Sequence, residues 1–169
     1  MSPARHFRLV CFLIFVACAS LLAFGILYLQ GKLYLDPCPM CILQRYFFIA
    51  VGITALIGAI HNPDFRGRRV YGGIIGFFAL GGAGVAARHV WVQYFPPAGG
   101  GCAAGDLDYL VNTFSLAQAL PKIFAGSAEC SEVKWRFLSI SIPEWALLWF
   151  AAFILFGLFA LLKPGWFRR

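Results

Sequence analysis

The chain has 169 residues, of which 61% are apolar and only 12% charged, with a mean hydropathy of +0.78. Average soluble domains carry about 25% charged residues, so this composition excludes water as the main solvent. The net charge of +7 raises nucleic acid as a partner, but no basic stripe is interleaved with base-stacking aromatics on a water-facing segment, so that class is set aside.

The first predicted element is an uncharged apolar run over 9–29, preceded by Arg5 and Arg8. Its start resembles a signal peptide, and Cys18 sits where a lipoprotein cleavage site would place a cysteine. A signal h-region is typically ~7–15 residues, however, and this run continues well past Cys18, so a retained membrane helix is expected. A short loop over 30–41 follows, containing Leu35-Asp36-Pro37-Cys38-Pro39-Met40-Cys41. The second run, 42–60, carries one charge, Arg45, close to its start, and is bounded by Pro39 and by His61-Asn62-Pro63, good start and stop signals for a helix.

After a basic connection over 61–69 comes a third, uncharged run over 70–87, with Gly72, Gly73, Gly76, Gly81, Gly82 and Gly84. Small residues at these spacings let helices approach closely in lipid. Arg88, His89, Trp91, Tyr94 and Pro96-Pro97 then read as the end of the helix and the start of the largest loop, 96–142. Within that loop Phe114, Leu116, Ala117, Leu120, Ile123 and Phe124 recur at helical spacing and predict a short amphipathic element lying on the membrane surface. Trp135, Phe137 and Trp145 suit the same interfacial level, and the last apolar run covers 145–162.

Runs of this length cross a hydrocarbon core of about 30 Å, and only a helix satisfies its own backbone there. The expected fold is therefore an all-α membrane protein, a four-transmembrane-helix bundle forming one domain over 1–169, with two outer loops, the second carrying the interfacial helix. Charge sets its orientation. Arg5, Arg8, Arg66, Arg68, Arg69, Lys163, Arg168 and Arg169 fall at the termini or in the middle connection, opposed only by Asp64. The other two loops mix Lys32, Lys122, Lys134 and Arg136 with Asp36, Asp106, Asp108, Glu129, Glu132 and Glu144. The positive-inside rule then predicts that both termini are cytoplasmic.

Six cysteines divide by this topology. Cys11 and Cys18 lie within the first helix and read as inert packing residues. Cys38, Cys41, Cys102 and Cys130 all fall in the outer loops, where disulfides persist. Cys38-Pro39-Met40-Cys41 is a Cys-X-X-Cys, the usual spacing of a redox-active pair. With Pro39 at the first helical position, Cys38 falls near the N-cap and Cys41 in the first turn, where the positive helix end favours a thiolate. Arg45 follows Cys41 by four residues on the same face, and an intramembrane arginine points to function ahead of snorkelling. Two other readings stand beside this one. The outer cysteines as a zinc site lack a second Cys-X-X-Cys, so no metal is expected. As purely structural disulfides they would suit a membrane assembly or transport protein, although no ion-translocating carboxylate lies mid-span.

Four helices, a Cys-X-X-Cys after the first, Arg45 beyond it, and Cys102 and Cys130 in the second outer loop together resemble the DsbB family of bacterial disulfide bond formation proteins, over essentially the whole chain. The cysteine order differs from that of vitamin K epoxide reductase relatives, in which the quinone-proximal Cys-X-X-Cys follows the loop pair. The resemblance implies an inner-membrane, quinone-dependent thiol oxidoreductase with periplasmic redox loops, which reoxidises a DsbA-like partner and passes electrons to ubiquinone or menaquinone. By that likeness Cys102 is attacked by the reduced partner, Cys130 carries reducing equivalents to Cys38, and Cys41 faces the quinone. Arg45 and His89 would match quinone-site residues.

Overall fold

The structure is a computed structural model that describes residues 3–96 and 128–162. Helix α1, Pro3–Ala23, runs without interruption into a π-helical segment, Phe24–Gln30. Helix α2 spans Pro39–His61, α3 Phe65–Tyr94 and α5 Ile142–Leu162; the short helix α4, Ala128–Ser131, and the hairpin β1–β2, Arg136–Phe137 and Ile140–Ser141, precede α5. Among the described residues four helices are long and apolar enough to cross a membrane, with mean hydropathies of 2.8, 1.8, 1.7 and 2.4 in chain order. The protein is thus a multi-pass four-helix membrane bundle. Its large exposed side chains, such as Leu13, Ile60, Phe77, Leu80 and Leu155, are apolar because lipid rather than water covers them.

The helices run further than the apolar stretches. Helix α3 already begins at Phe65, with Arg66, Arg68 and Arg69 in its opening turns, so the connection from α2 contains only Asn62, Pro63 and Asp64. Asn62 adopts the left-handed conformation (φ 45°) and its N–H closes on the Gly58 carbonyl, which stops α2 within one residue. At the other end, α3 passes through Arg88 and His89 and stops at Tyr94, immediately before Phe95 and Pro96. His89 does not end the helix, because Gln44 and Cys38 at the start of α2 give its ring partners. The amphipathic element expected over 114–124 lies outside the described residues.

Small residues set the packing. Helices α3 and α5 meet through Gly72, Gly76 and Gly157: a Cβ on Gly157 would come within 2.8 Å of the Gly72 carbonyl oxygen and 2.9 Å of the Gly76 Cα. At Gly82 an added Cβ would fall into the ring of Phe150, which is itself fully buried and stacks on Phe48 of α2 at 4.2 Å. Cys11 and Cys18 are buried against glycine notches of α2: a Cβ on Gly58 would lie 3.7 Å from Cys11 Sγ, and one on Gly52 3.2 Å from the Cys18 Cβ. Both thiols thus fill the space that the missing side chains leave.

Candidate functional site

The C-terminal ends of α1 and α3 and the N-terminal ends of α2 and α5 meet at one end of the bundle. Local rules position each piece. Pro39 opens α2 at N1, with Cys38 as its N-cap (φ −68°, ψ 160°), and the Ile42 N–H donates to the Cys38 carbonyl to begin the helical ladder. Cys41 therefore stands in the first turn, beside the unpaired N–H groups of a helix end. Helix α5 starts with the glutamate half of a capping box: the Ser141 N–H donates to Glu144 Oε2 at 2.6 Å. The same Glu144 accepts from the Tyr94 hydroxyl at 3.0 Å, and Ser141 Oγ donates to Gln93 Oε1 at 2.9 Å, which ties α5 to the end of α3.

Between these ends lies a cavity of about 570 Å³. Leu21, Leu22, Phe48 and Trp149 form apolar walls, and Cys38, Cys41, Gln44, Arg45 and His89 supply the polar positions. The loop before α5 closes one side. Trp135 lies against Phe24 of the π-helical segment and stacks on Phe137, and the Trp145 indole N–H donates to the Phe137 carbonyl. Lys134 Nζ donates to the Asp36 carbonyl at 3.2 Å, joining this loop to the one that carries Cys38.

Sulfur chemistry concentrates at one edge of the cavity. The Cys38 thiol donates toward Cys41 Sγ at 3.2 Å. Cys38 Sγ is also 3.6 Å from His89 Nε2, and the Cys130 sulfur of α4 lies within 4.8 Å of Cys38 Sγ and of a ring nitrogen of His89. Cys38, His89 and Cys130 are each at most 5% exposed. Two segments distant in sequence thus bring their thiols to a single buried point. Cys102 lies outside the described residues. A thiolate at such a point can attack a neighbouring disulfide sulfur and take over one end of the bond.

Two glutamines complete the site, and the sequence reading did not single them out. Gln44, 4% exposed, donates from Nε2 to His89 Nδ1 at 3.2 Å, which leaves the proton of the ring on Nε2, facing Cys38. Gln30, the last residue of the π-helical segment, accepts from Arg45 Nη1 at 2.6 Å. The guanidinium lies over Gly25, where an added Cβ would stand 3.6 Å from Nη2. A signal for both was available: polar side chains inside apolar spans are costly unless partnered, as Gln30 and Gln44 are. Among the described residues no buried side-chain polar atom lacks a hydrogen-bond partner.

Residues 7–160 match the family model described as disulfide bond formation protein DsbB. The chain is similar to disulfide bond formation protein B of Aromatoleum aromaticum, 49% identical over 135 residues and 80% of each chain. It is 46% identical to the protein of the same name from an Azoarcus species, over 93% of each chain. Disulfide bond formation protein B 1 of Pseudomonas aeruginosa is 38% identical over 96% of each chain. A thiol oxidoreductase role in disulfide bond formation accompanies this membership and accords with thiols converging at a membrane cavity. With a match over nearly its whole length and relatives aligned almost end to end, the chain belongs to the DsbB family.

Proposed function

We propose that this protein oxidises a periplasmic DsbA-like dithiol and delivers the electrons to a membrane quinone, ubiquinone or menaquinone. One observation carries the reading: Cys130 and the Cys38/Cys41 pair, from different loops, meet beside an apolar cavity that also holds Arg45. Structural disulfides in a transport or assembly protein would require neither a shared sulfur cluster nor an arginine beside it.

In the proposed sequence, a thiolate of the reduced partner attacks Cys102 of a Cys102–Cys130 disulfide, forming a mixed disulfide and releasing Cys130 as a thiolate. The partner's second thiolate then resolves the mixed disulfide, releasing oxidised partner and the Cys102 thiolate. Cys130 attacks Cys38 of the Cys38–Cys41 disulfide, and the S–S bond moves to Cys38–Cys130 as Cys41 leaves with the electron pair. Attack by Cys102 on Cys130 breaks the Cys38–Cys130 bond, releases Cys38 as a thiolate and restores the loop disulfide. The Cys38 and Cys41 thiols are then reoxidised, so two electrons and two protons leave the partner's dithiol in each cycle. His89, with its Nε2 proton facing Cys38, stabilises negative charge on that sulfur during exchange. Trp135, Phe137 and Trp145 add aromatic surface to the cavity lining.

The cavity fits a quinone head: its walls suit a flat ring, and Arg45, anchored by Gln30, offers further N–H donors to a carbonyl oxygen. A bound quinone would accept two electrons and two protons at the membrane boundary. The orientation proposed is an inner-membrane protein with both termini cytoplasmic and the sulfur end periplasmic, in keeping with the basic residues at the opposite end.

The test supplies reduced DsbA-like protein and a soluble quinone to the purified full-length chain and follows quinone absorbance. Sustained quinone reduction with stoichiometric oxidation of the dithiol is expected. Absence of turnover with any dithiol would overturn the reading in favour of structural disulfides.

A further inference from the structure

We infer that the dithiol form of this protein is a binding site for a thiophilic d10 cation, Zn2+ above all, built from Cys38, Cys130 and His89. The inference uses the same cysteines as the proposed relay but requires neither a quinone nor a partner protein, only reduced sulfur.

The geometry is close to that of a metal site before any metal arrives. Tetrahedral zinc holds sulfur at about 2.3 Å and imidazole nitrogen at about 2.0–2.1 Å, which sets ligand atoms on neighbouring vertices about 3.6 Å apart for S···N and about 3.8 Å for S···S. Cys38 Sγ and His89 Nε2 are 3.6 Å apart, and Cys130 Sγ lies within 4.8 Å of Cys38 Sγ and of a ring nitrogen of His89. Closing the set requires only a small inward movement of one side chain on the short helix α4. The fourth position is left to water, as in a site with three protein ligands.

Charge and softness favour the same ion. Two thiolates and a neutral imidazole neutralise a divalent cation in a buried place, where an uncompensated charge would be costly. Thiolate and imidazole together select zinc or cuprous copper over magnesium or calcium. Binding converts two thiols to thiolates and releases two protons, with no change of oxidation state. His89 must then present Nε2 without its proton, so Nδ1 carries the hydrogen and needs an acceptor. Gln44 meets either need: its amide donates to Nδ1 in one orientation and accepts from it in the other.

The consequence is inhibition gated by reduction. A metal that engages the lone pairs of Cys38 and Cys130 blocks the exchange between them. Only protein whose thiols have not been reoxidised can be captured.

The test uses the full-length protein in detergent, reduced, freed of reductant under anaerobic conditions and titrated with Co2+ alone. One equivalent should produce thiolate-to-cobalt charge-transfer absorption and the visible bands of a tetrahedral site, both erased by one equivalent of Zn2+. Cys130→Ser and His89→Gln should each weaken binding by about 100-fold or more, since even partners outside the ligand set account for about 10–100-fold. Cys130→His, which cannot form a disulfide but keeps a ligand, should restore tetrahedral binding, and Cys102→Ser should retain it. Unaltered cobalt spectra in Cys130→Ser, or octahedral spectra in the unsubstituted protein, would overturn the inference. So would loss of binding in Cys102→Ser, which would assign the metal to another set of thiols.

Discussion

Gln44 of α2 and His89 of α3 are hydrogen-bonded at 3.2 Å in the interior of the bundle, and that contact engages Nδ1 while Nε2 faces Cys38. Replacing Gln44 by Leu leaves the Nδ1 position without its partner, a loss that costs about 1–3 kcal/mol when the group stays buried. Gln44→Leu is expected to lower thermal stability in detergent and to slow exchange between Cys130 and Cys38. Gln44→Glu, an acceptor when ionised, keeps a partner for Nδ1–H and favours the imidazolium, so Nε2 still presents a proton to Cys38 and exchange should be retained. Quenched-flow trapping of the thiol states gives the exchange rate. Equal rates in both variants and the parent would leave Gln44 with a packing role only.

The Gln44–His89 pair also marks the limit of what the chain could reveal unaided. The spans were legible because a long apolar run in lipid has only one way to satisfy its backbone. The N-cap place of Cys38 was legible because Pro39 fits the first helical position and little else. Which helix face meets which was not: these spans are apolar nearly all round, so composition does not set their rotation, and the contacts Gln44–His89 and Arg45–Gln30 follow from rotation. The glycines of α3 show the same division. Gly72, Gly76 and Gly82 face α5 and Gly81 faces Phe47 of α2, whereas Gly84 has no atom near its Cβ position. The cap at Ser141 and Glu144 was readable as a Ser-X-X-Glu pattern and would have moved the start of the last helix to Ile142.

Gly82 and Gly84 give a direct test of the packing. An alanine Cβ at Gly82 collides with the buried Phe150 ring, so Gly82→Ala should destabilise the bundle by about 1–3 kcal/mol, the usual range for overpacking. Gly84→Ala meets open space in a helix interior and should be neutral or stabilising by about 0.5–1 kcal/mol. Thermal unfolding in one detergent measures both. The reverse order of stabilities would mean that α3 is rotated from the orientation described.

The cysteines predict a division of labour. Cys11→Ala and Cys18→Ala should keep turnover within about twofold of the parent, because each removes one buried sulfur from a packing notch and neither sulfur lines the cavity. Cys130→Ser should instead leave Cys102 with no loop disulfide to offer, so turnover stops, and the free Cys102 thiolate can only attack the disulfide of the oxidised form of the proposed DsbA-like partner and be held there as a mixed disulfide. Non-reducing electrophoresis separates the two behaviours. Failed turnover by folded Cys18→Ala protein would contradict the assignment.

Orientation is open to labelling. In spheroplasts a membrane-impermeant maleimide should modify reduced Cys102 from outside, while a thiol introduced by Ser2→Cys in a chain lacking its other cysteines should react only after permeabilisation. Modification of both without permeabilisation would put the N-terminus and the long loop on one side and dismiss the four-span arrangement.

The guanidinium of Arg45 is held by Gln30 and lies across Gly25. A quinone resides in the bilayer, so the group that binds it must stand at the membrane boundary, and Arg45 is the arginine lining this cavity. A fixed guanidinium has donors on several edges: one is spent on Gln30, and the others remain for a carbonyl oxygen. Arg45→Met keeps an unbranched stem and removes the cation, so the apparent KM for quinone should rise by about tenfold or more, the loss of a charged hydrogen bond being about 1.5–3 kcal/mol. Arg45→Lys should recover only part of that affinity, because an ammonium lacks the planar fork needed to hold Gln30 and a ligand together. Gln30→Leu leaves the charge in place but frees the side chain, so KM should rise by a smaller factor, about threefold to tenfold, at nearly constant kcat. Steady-state quinone reduction with each variant, together with the alkylation rate of reduced Cys41, separates binding from effects on the thiol. If Arg45→Met leaves both quantities unchanged, Arg45 serves only to anchor the π-helical end of α1 through Gln30, and the quinone pocket must be sought elsewhere in the bundle.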